Sequence, residues 1–171
     1  MEKTTTCPHC GWGFTQYANP VPTADVVIYT PKLGVVIIER RNIPHGFALP
    51  GGFIDEGEQA ENAAIREMWE ETGLDVELTG LLGVYSRPGR DPRQHTLSVV
   101  FTGRPHNPEQ LRAGDDAKSA AFYPLDALPR PLAFDHEDIL RDFCDVLTGK
   151  RSTVPLAPHA SRRPHNPVEH R

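Results

Sequence analysis

Gly52-Phe-Ile-Asp-Glu-Gly-Glu58-Gln-Ala-Glu-Asn-Ala-Ala-Ile-Arg66-Glu67-Met-Trp-Glu70-Glu71-Thr-Gly73-Leu74 is the stretch around which the rest of the chain is organised. Its spacing reads as a glycine-opened loop, one short helix and a glycine stop, with Glu58 charging the helix start and Gly73 in place for a left-handed cap. At about 100° per residue, Glu67, Glu70 and Glu71 share roughly a third of the helix circumference. Ala63 falls in the same arc, and Ala60, Ala64, Ile65, Met68 and Trp69 fill most of the opposite side. Arg66 precedes Glu70 by one turn and is placed to orient it. Three like charges on one turn repel and cost stability, so folding alone does not ask for them. Hard oxygen donors at this density suit Mg²⁺ or Mn²⁺, which makes the three glutamates candidate metal ligands.

With 171 residues the chain is one domain's worth, long enough to bury a core without disulfide staples. Hydrophobic residues at 38% and charged residues at 24% are ordinary for a globular protein. No apolar run approaches a membrane span and the first residues do not read as a signal peptide, so a cytoplasmic protein is expected. The odd number of cysteines, with only Cys7 and Cys10 close together and Cys144 distant, does not make a disulfide framework. The net charge of -5 is unevenly spread. From Lys150 onward Lys150, Arg151, Arg162, Arg163 and Arg171 oppose Glu169, a balance of +4, which leaves -9 for residues 1–149. So acidic a body argues against a nucleic-acid-coating surface.

Cys7-Pro-His-Cys10-Gly11 has the form of half a zinc knuckle, and a complete site needs two further ligands from His9, Cys144 or another chain. Val- and Ile-rich runs from Thr23 to Tyr29 and from Leu33 to Arg40 read as a hairpin. A loop from Asn42 to Pro50 carries Phe47, and Gly51-Gly52 then lets the backbone approach whatever the acidic helix binds. Strands are expected over Val76–Tyr85, Thr96–Phe101 and Ser119–Tyr123. Arg87, Arg90 and Arg93 cluster in the loop between the first two, where they suit phosphate or sugar contacts. A polar loop runs from Arg104 to Lys118. A final helix spans His136 to Leu147, capped by Asp135, with Ile139, Leu140, Phe143, Val146 and Leu147 as its core stripe. From Lys150 the proline-rich, basic composition predicts disorder.

The opening stretch resembles the Nudix hydrolase box: glycine, five residues, Glu, seven residues, Arg-Glu, an apolar residue, any residue, Glu-Glu, any residue, Gly, apolar. Every defined position matches. The resemblance extends over about residues 20–148, and Thr23 to Arg41, Ala48 to Phe53 and Leu82 to Arg93 are similar to the ADP-ribose pyrophosphatase branch. The element order alone gives an α/β or α+β fold; the resemblance implies an α/β/α sandwich with a mixed sheet and an acid-bearing loop-helix-loop. The expected organisation is a short cysteine-containing segment over 1–19, the hydrolase domain over 20–149, and a disordered tail over 150–171. The resemblance also implies Mg²⁺ or Mn²⁺ held by Gly52, Glu58, Glu67, Glu70 and Glu71, with Arg66 orienting them. Substrate contacts are expected from Arg40, Phe47, Gly51, Gly52, Arg90 and Arg93. For the general base the candidates Glu67, Asp115 and Asp116 stay open, with Glu109 behind them. The implied reaction is cleavage of a nucleoside diphosphate derivative, ADP-ribose first, with NADH or nucleoside triphosphates as other enzyme substrates and a non-catalytic ADP-ribose sensor as the reading from another class. Among partners it implies a small nucleotide and a homodimer, while the lack of an apolar span and the acidic body lead to no membrane and no specific nucleic acid being expected. The cysteine turn is similar to half of the zinc ribbon in the NADH pyrophosphatase branch, which has four cysteines.

Overall fold

The computed structural model describes residues 2–114 and 116–156; Met1, Asp115 and residues 157–171 lie outside the described residues. In chain order the elements are β1 (Glu2–Thr6), β2 (Gly13–Tyr17), β3 (Val21–Thr30), β4 (Gly34–Arg40), β5 (Phe47–Ala48), β6 (Gly51–Phe53), α1 (Ala60–Thr72), β7 (Val76–Tyr85), β8 (Thr96–Pro105), β9 (Ala117–Tyr123) and α2 (His136–Leu147), with a 3₁₀ turn over Pro108–Gln110. Among these residues no helix is long and apolar enough to cross a membrane.

The centre is a mixed seven-stranded sheet. Its main path runs β5-β4-β3-β8-β7, with β6 also on β3 and β9 also on β4. β3 and β8 pair in parallel from Val21 opposite Thr96 to Ile28 opposite Gly103. β7 returns antiparallel to β8. Strand side chains alternate between faces, and β3 shows the two layers this produces. Ala24, Val26 and Ile28 join Ala63, Ala64 and Met68 of α1, with Phe101 and Val36, in one core. Val27, with Val35, Ile37 and Val100, packs on Ile139, Leu140 and Phe143 of α2 in the other. The sheet thus lies between two helices, the α/β/α sandwich expected.

Gly73 has φ +67° and its N–H bonds the Trp69 carbonyl, so it is the left-handed stop that the sequence predicts for α1. Four local expectations change. Trp69 is 54% exposed rather than part of the packed side, and Ala63 is fully buried in the core beneath α1 rather than leaving room beside the acids. Asp135 makes no side-chain cap on α2, because its carboxylate is taken by Arg90. β8 continues through Arg104 and Pro105, where a loop was expected, because β7 is long enough to pair it to Val76.

The two ends also differ from expectation. Residues 2–17 form a two-stranded antiparallel sheet, with Cys7 and Cys10 in its connecting turn. Beyond Gly149, residues 150–156 continue the domain: Arg151 pairs with Asp142 at 2.5 Å, Val154 bridges Leu81 through both backbone groups, and Leu156 packs on the core under α1. The composition of this segment hides three anchoring contacts. The rest of the expected disordered tail, 157–171, lies outside the described residues.

Candidate active site

A cavity of about 380 Å³ opens where the Gly51-Gly52 strand, the last turns of α1 and the loops before β8 and α2 meet. The sheet makes its floor. On the face of β3 and β8 turned toward α2, side chains farther along the strands are core, whereas Thr23, Asp25, Thr96 and Ser98 at the strand starts are polar. One end of a sheet face has been converted from packing surface to cavity.

The acidic wall comes from α1. Glu71 is 8% exposed, and its Oε2 accepts the Gly51 N–H at 2.8 Å. Burial pushes its carboxyl up to about 8, with Glu67 and Asp25 nearby adding to the shift and the Gly51 bond opposing it. Burial also raises Glu67, against the pull of Arg66. Asp25, on the floor, is lifted to about 6 by burial, although Ser98 Oγ donates to it and Arg90 lies near.

Arg66 binds these acids together. Its guanidinium donates to Glu58 at 2.8 and 3.0 Å, to Glu67 at 2.8 Å, to Glu70 at 3.3 Å and to the Phe53 carbonyl at 3.1 Å. Hydrogen bonding from Arg66 holds the Glu58 carboxyl below its ordinary range. Among the described residues no three His, Cys, Asp or Glu side chains already form a closed metal cage; the Arg66 cation sits among the oxygens instead.

The donor chemistry nonetheless fits a hard divalent ion, with four carboxylates on or beside one helix, two of them held uncharged-leaning by burial. Gly52 supplies a second indication. A Cβ there would fall on the Glu67 carboxyl, so the missing side chain leaves the carboxylate its place. Gly52→Ala should therefore weaken divalent-metal binding by about 10- to 100-fold, while the melting temperature in EDTA stays within about 3 °C of the parent. Calorimetric titration with Mn²⁺ and melting curves check this; unchanged affinity would mean Glu67 does not need that space.

The opposite wall is cationic and aromatic. Arg40 and Arg93 both lie over the Phe134 ring, with guanidinium carbons 4.8 and 5.6 Å from its centroid. Phe134 has φ +59°, uncommon for a bulky residue, and backbone strain of this kind gathers at functional sites. Arg93 is paired with Asp91 at 2.7 Å. Arg40 donates to the Pro44 carbonyl, and burial together with nearby Arg93 lowers its pKa. Two crowded guanidinium groups facing a cavity are suited to an anion.

The three loop arginines expected to act together are separated. Arg87 is exposed and reaches Asp138 at 3.6 Å. Arg90 is 6% exposed, donates to both Asp135 oxygens at 2.6 to 3.1 Å and to Thr96 at 3.1 Å, and touches the cavity only as part of its wall. Its donors are committed to Asp135 and Thr96 within the fold. Arg93 alone of the three lines the cavity with a half-exposed side chain. Phe47 is not brought to the cavity: it packs on the core beneath α2 and bridges Leu132. Asp116 reaches the cavity, bonded by Asn42; Asp115 lies outside the described residues, and Glu109 is exposed on the 3₁₀ turn.

Sequence reasoning missed Thr23, Asp25, Asp91, Phe134 and His136, all of which line the cavity. His136 is buried and kept neutral, burial and nearby Arg90 lowering it to about 3 against the opposing pull of Asp135, with Nδ1 accepting the Leu49 N–H. Only Asp25 left a signal, a carboxylate inside a run of Val and Ile.

Cys7 and Cys10 stand apart from this cavity. Hydrogen bonding from the Cys10 and His9 backbone lowers the Cys7 thiol, and Cys144 belongs to α2.

A NUDIX domain profile matches residues 19–143. The chain is 48% identical over 129 residues to an ADP-ribose pyrophosphatase of Methanocaldococcus jannaschii, covering 74% of this chain and 75% of that protein. It is 28% identical over 151 residues to the NAD-capped RNA hydrolase NudC of Pseudomonas aeruginosa, which spans 88% of this chain but 51% of the relative. The NUDIX domain of Shewanella oneidensis NrtR, solved in complex with ADP ribose, superposes with a TM-score of 0.64 at 25% identity, over 77% of this chain and 90% of that one.

Proposed function

The chain belongs to the NUDIX family and is a pyrophosphohydrolase, and from that premise we propose that it hydrolyses nucleoside diphosphate sugars, ADP-ribose to AMP and ribose 5-phosphate in particular. One observation carries the reading: a carboxylate wall and an arginine wall face each other across a single cavity. The two phosphates of a diphosphate ester have opposite needs, one to be cleaved at the acids and one to be held by cations. The high identity to an ADP-ribose pyrophosphatase supports the same substrate.

In this proposal Glu58, Glu67, Glu70, Glu71 and the Gly52 carbonyl hold Mg²⁺ or Mn²⁺, whose bound form neutralises the diphosphate and lowers the pKa of water. Glu71 is fixed by the Gly51 N–H, so its carboxylate keeps one direction. Arg66 spaces Glu58, Glu67 and Glu70 from one another. Arg40 and Arg93 orient the far phosphate, and Phe134 keeps both guanidinium groups in place. A carboxylate within reach of the attacking water takes its proton, the candidates being Glu67, Asp116 and Asp115.

A second reading, an NAD(H) pyrophosphatase, draws on the NudC alignment, which spans 88% of the chain. The test is purified protein with Mg²⁺ run against ADP-ribose, NADH, diadenosine polyphosphates, nucleotide sugars and nucleoside triphosphates, with products separated by chromatography. ADP-ribose should give the highest kcat/KM, by at least about tenfold. NADH or a triphosphate leading the panel would replace the proposal, and binding of ADP-ribose without turnover would make the protein a sensor.

A further inference from the structure

The polar patch on the cavity floor is almost completely satisfied from within. Ser98 Oγ donates to Asp25, Thr96 Oγ1 accepts from Arg90 at 3.1 Å, and Arg90 in turn holds Asp135. Thr23 Oγ1 is the exception. It is buried, and among the described residues it is the one buried side-chain nitrogen or oxygen without a hydrogen-bond partner. It stands two residues from Asp25 on the same strand face, opposite Ser98 in the parallel ladder, and lines the cavity.

Strand formation does not account for this hydroxyl. Valine has the same shape, packs in strands at least as well and carries no polar atom to desolvate. A buried hydroxyl with no partner costs free energy, so one on a cavity wall points to a partner that arrives with the ligand.

We propose that Thr23 Oγ1 marks a hydroxyl-recognition point, hydrogen-bonding a sugar hydroxyl of the substrate. Its surroundings select the ligand group. Asp25 stands two residues away on the same strand face, and in the reading above the diphosphate already has Arg40, Arg93 and the ions of the α1 glutamates to hold it, which leaves a neutral group of the ligand for Thr23. A threonine hydroxyl both donates and accepts, which matches another hydroxyl. The inference rests on the reading of the cavity as a nucleoside diphosphate sugar site, and the hydroxyl can come from the nucleoside ribose or from the terminal sugar.

Thr23→Val gives two signs at once. With ADP-ribose and Mg²⁺, KM should rise roughly five- to tenfold, the loss of one neutral hydrogen bond, with kcat within about twofold. Without metal or substrate, the melting temperature should equal or exceed that of the parent. Analogues of ADP-ribose lacking one hydroxyl on either ribose identify the source, because the analogue missing the contacted hydroxyl should bind parent and variant alike. A KM within twofold of the parent overturns the proposal, and so does a lower melting temperature, which would show the hydroxyl bonded inside the fold. Failure of the parent to cleave any nucleoside diphosphate sugar would instead strike the functional reading. Titration of parent and variant with AMP and with ribose 5-phosphate then decides the hydroxyl point, equal affinities for both ligands overturning it.

Discussion

Glu71→Gln should lower kcat by several orders of magnitude and, in EDTA at pH 8, raise the melting temperature. Both effects come from one burial. The carboxyl is pushed up to about 8 in the metal-free protein, so the folded chain holds its proton more tightly than the unfolded chain does. That contribution to stability is complete below about 4.5 and is lost as pH rises through about 8, on the order of 5 kcal/mol over the interval. Asp25, lifted to about 6, adds a smaller loss between about 4 and 6. Glutamine keeps an oxygen for the Gly51 N–H and carries no charge, so the variant should lack most of the decline, appearing as roughly 10–15 °C at pH 8. Mg²⁺ should stabilise the parent, whose carboxylate it engages, more than the variant. The measurement is melting against pH, with EDTA and with Mg²⁺, beside turnover. A variant that melts several degrees below the parent in EDTA would assign Glu71 a satisfied structural role and pass the ligand role to its neighbours.

Arg90→Ala should cost about 3–5 kcal/mol of stability, because it strands a buried carboxylate. The Arg90 and Asp135 side chains are 4% and 5% exposed, and the pair ties the loop before β8 to the start of α2. Arg87→Ala, three residues away on an exposed side chain, should move stability by less than about 0.5 kcal/mol. Replacing Arg90 by Met and Asp135 by Leu together should recover much of the loss. Urea unfolding of the four proteins separates these cases. If Arg90→Ala unfolded at the parent's midpoint and only KM rose, Arg90 would be a substrate contact and its ion pair incidental.

The arginine loop shows why the sequence was only partly legible. Arg87, Arg90 and Arg93 are spaced alike and chemically identical, and what divides their roles is Asp135, which lies 45 residues beyond Arg90. Local spacing reveals groups that share one element, and for that reason the glutamates of α1, its glycine stop and the stripe of α2 could be read directly. A site assembled across β3, β8 and the loop before α2 has no such periodicity. Phe134 reads as a loop aromatic until Arg40 and Arg93 are seen on it, and Thr23 as an ordinary strand former. Leu33 to Arg40 was recoverable as an unbroken Val and Ile run, buried on both faces, and Val76 to Tyr85 as an apolar strand between turn residues; the two-stranded sheet at residues 2–17, short and largely exposed, carries neither signal.

The return of the chain past α2 bears on how copies of this protein can associate. β7 is the outermost strand on its side of the sheet, and an outermost strand ordinarily offers a row of unpaired N–H and C=O groups to any passing chain. Here Val154 takes both backbone groups of Leu81, and Arg151 donates to the Leu82 carbonyl. The middle of that rim is already spoken for, so two molecules cannot join there into one continuous sheet without first displacing residues 151–154.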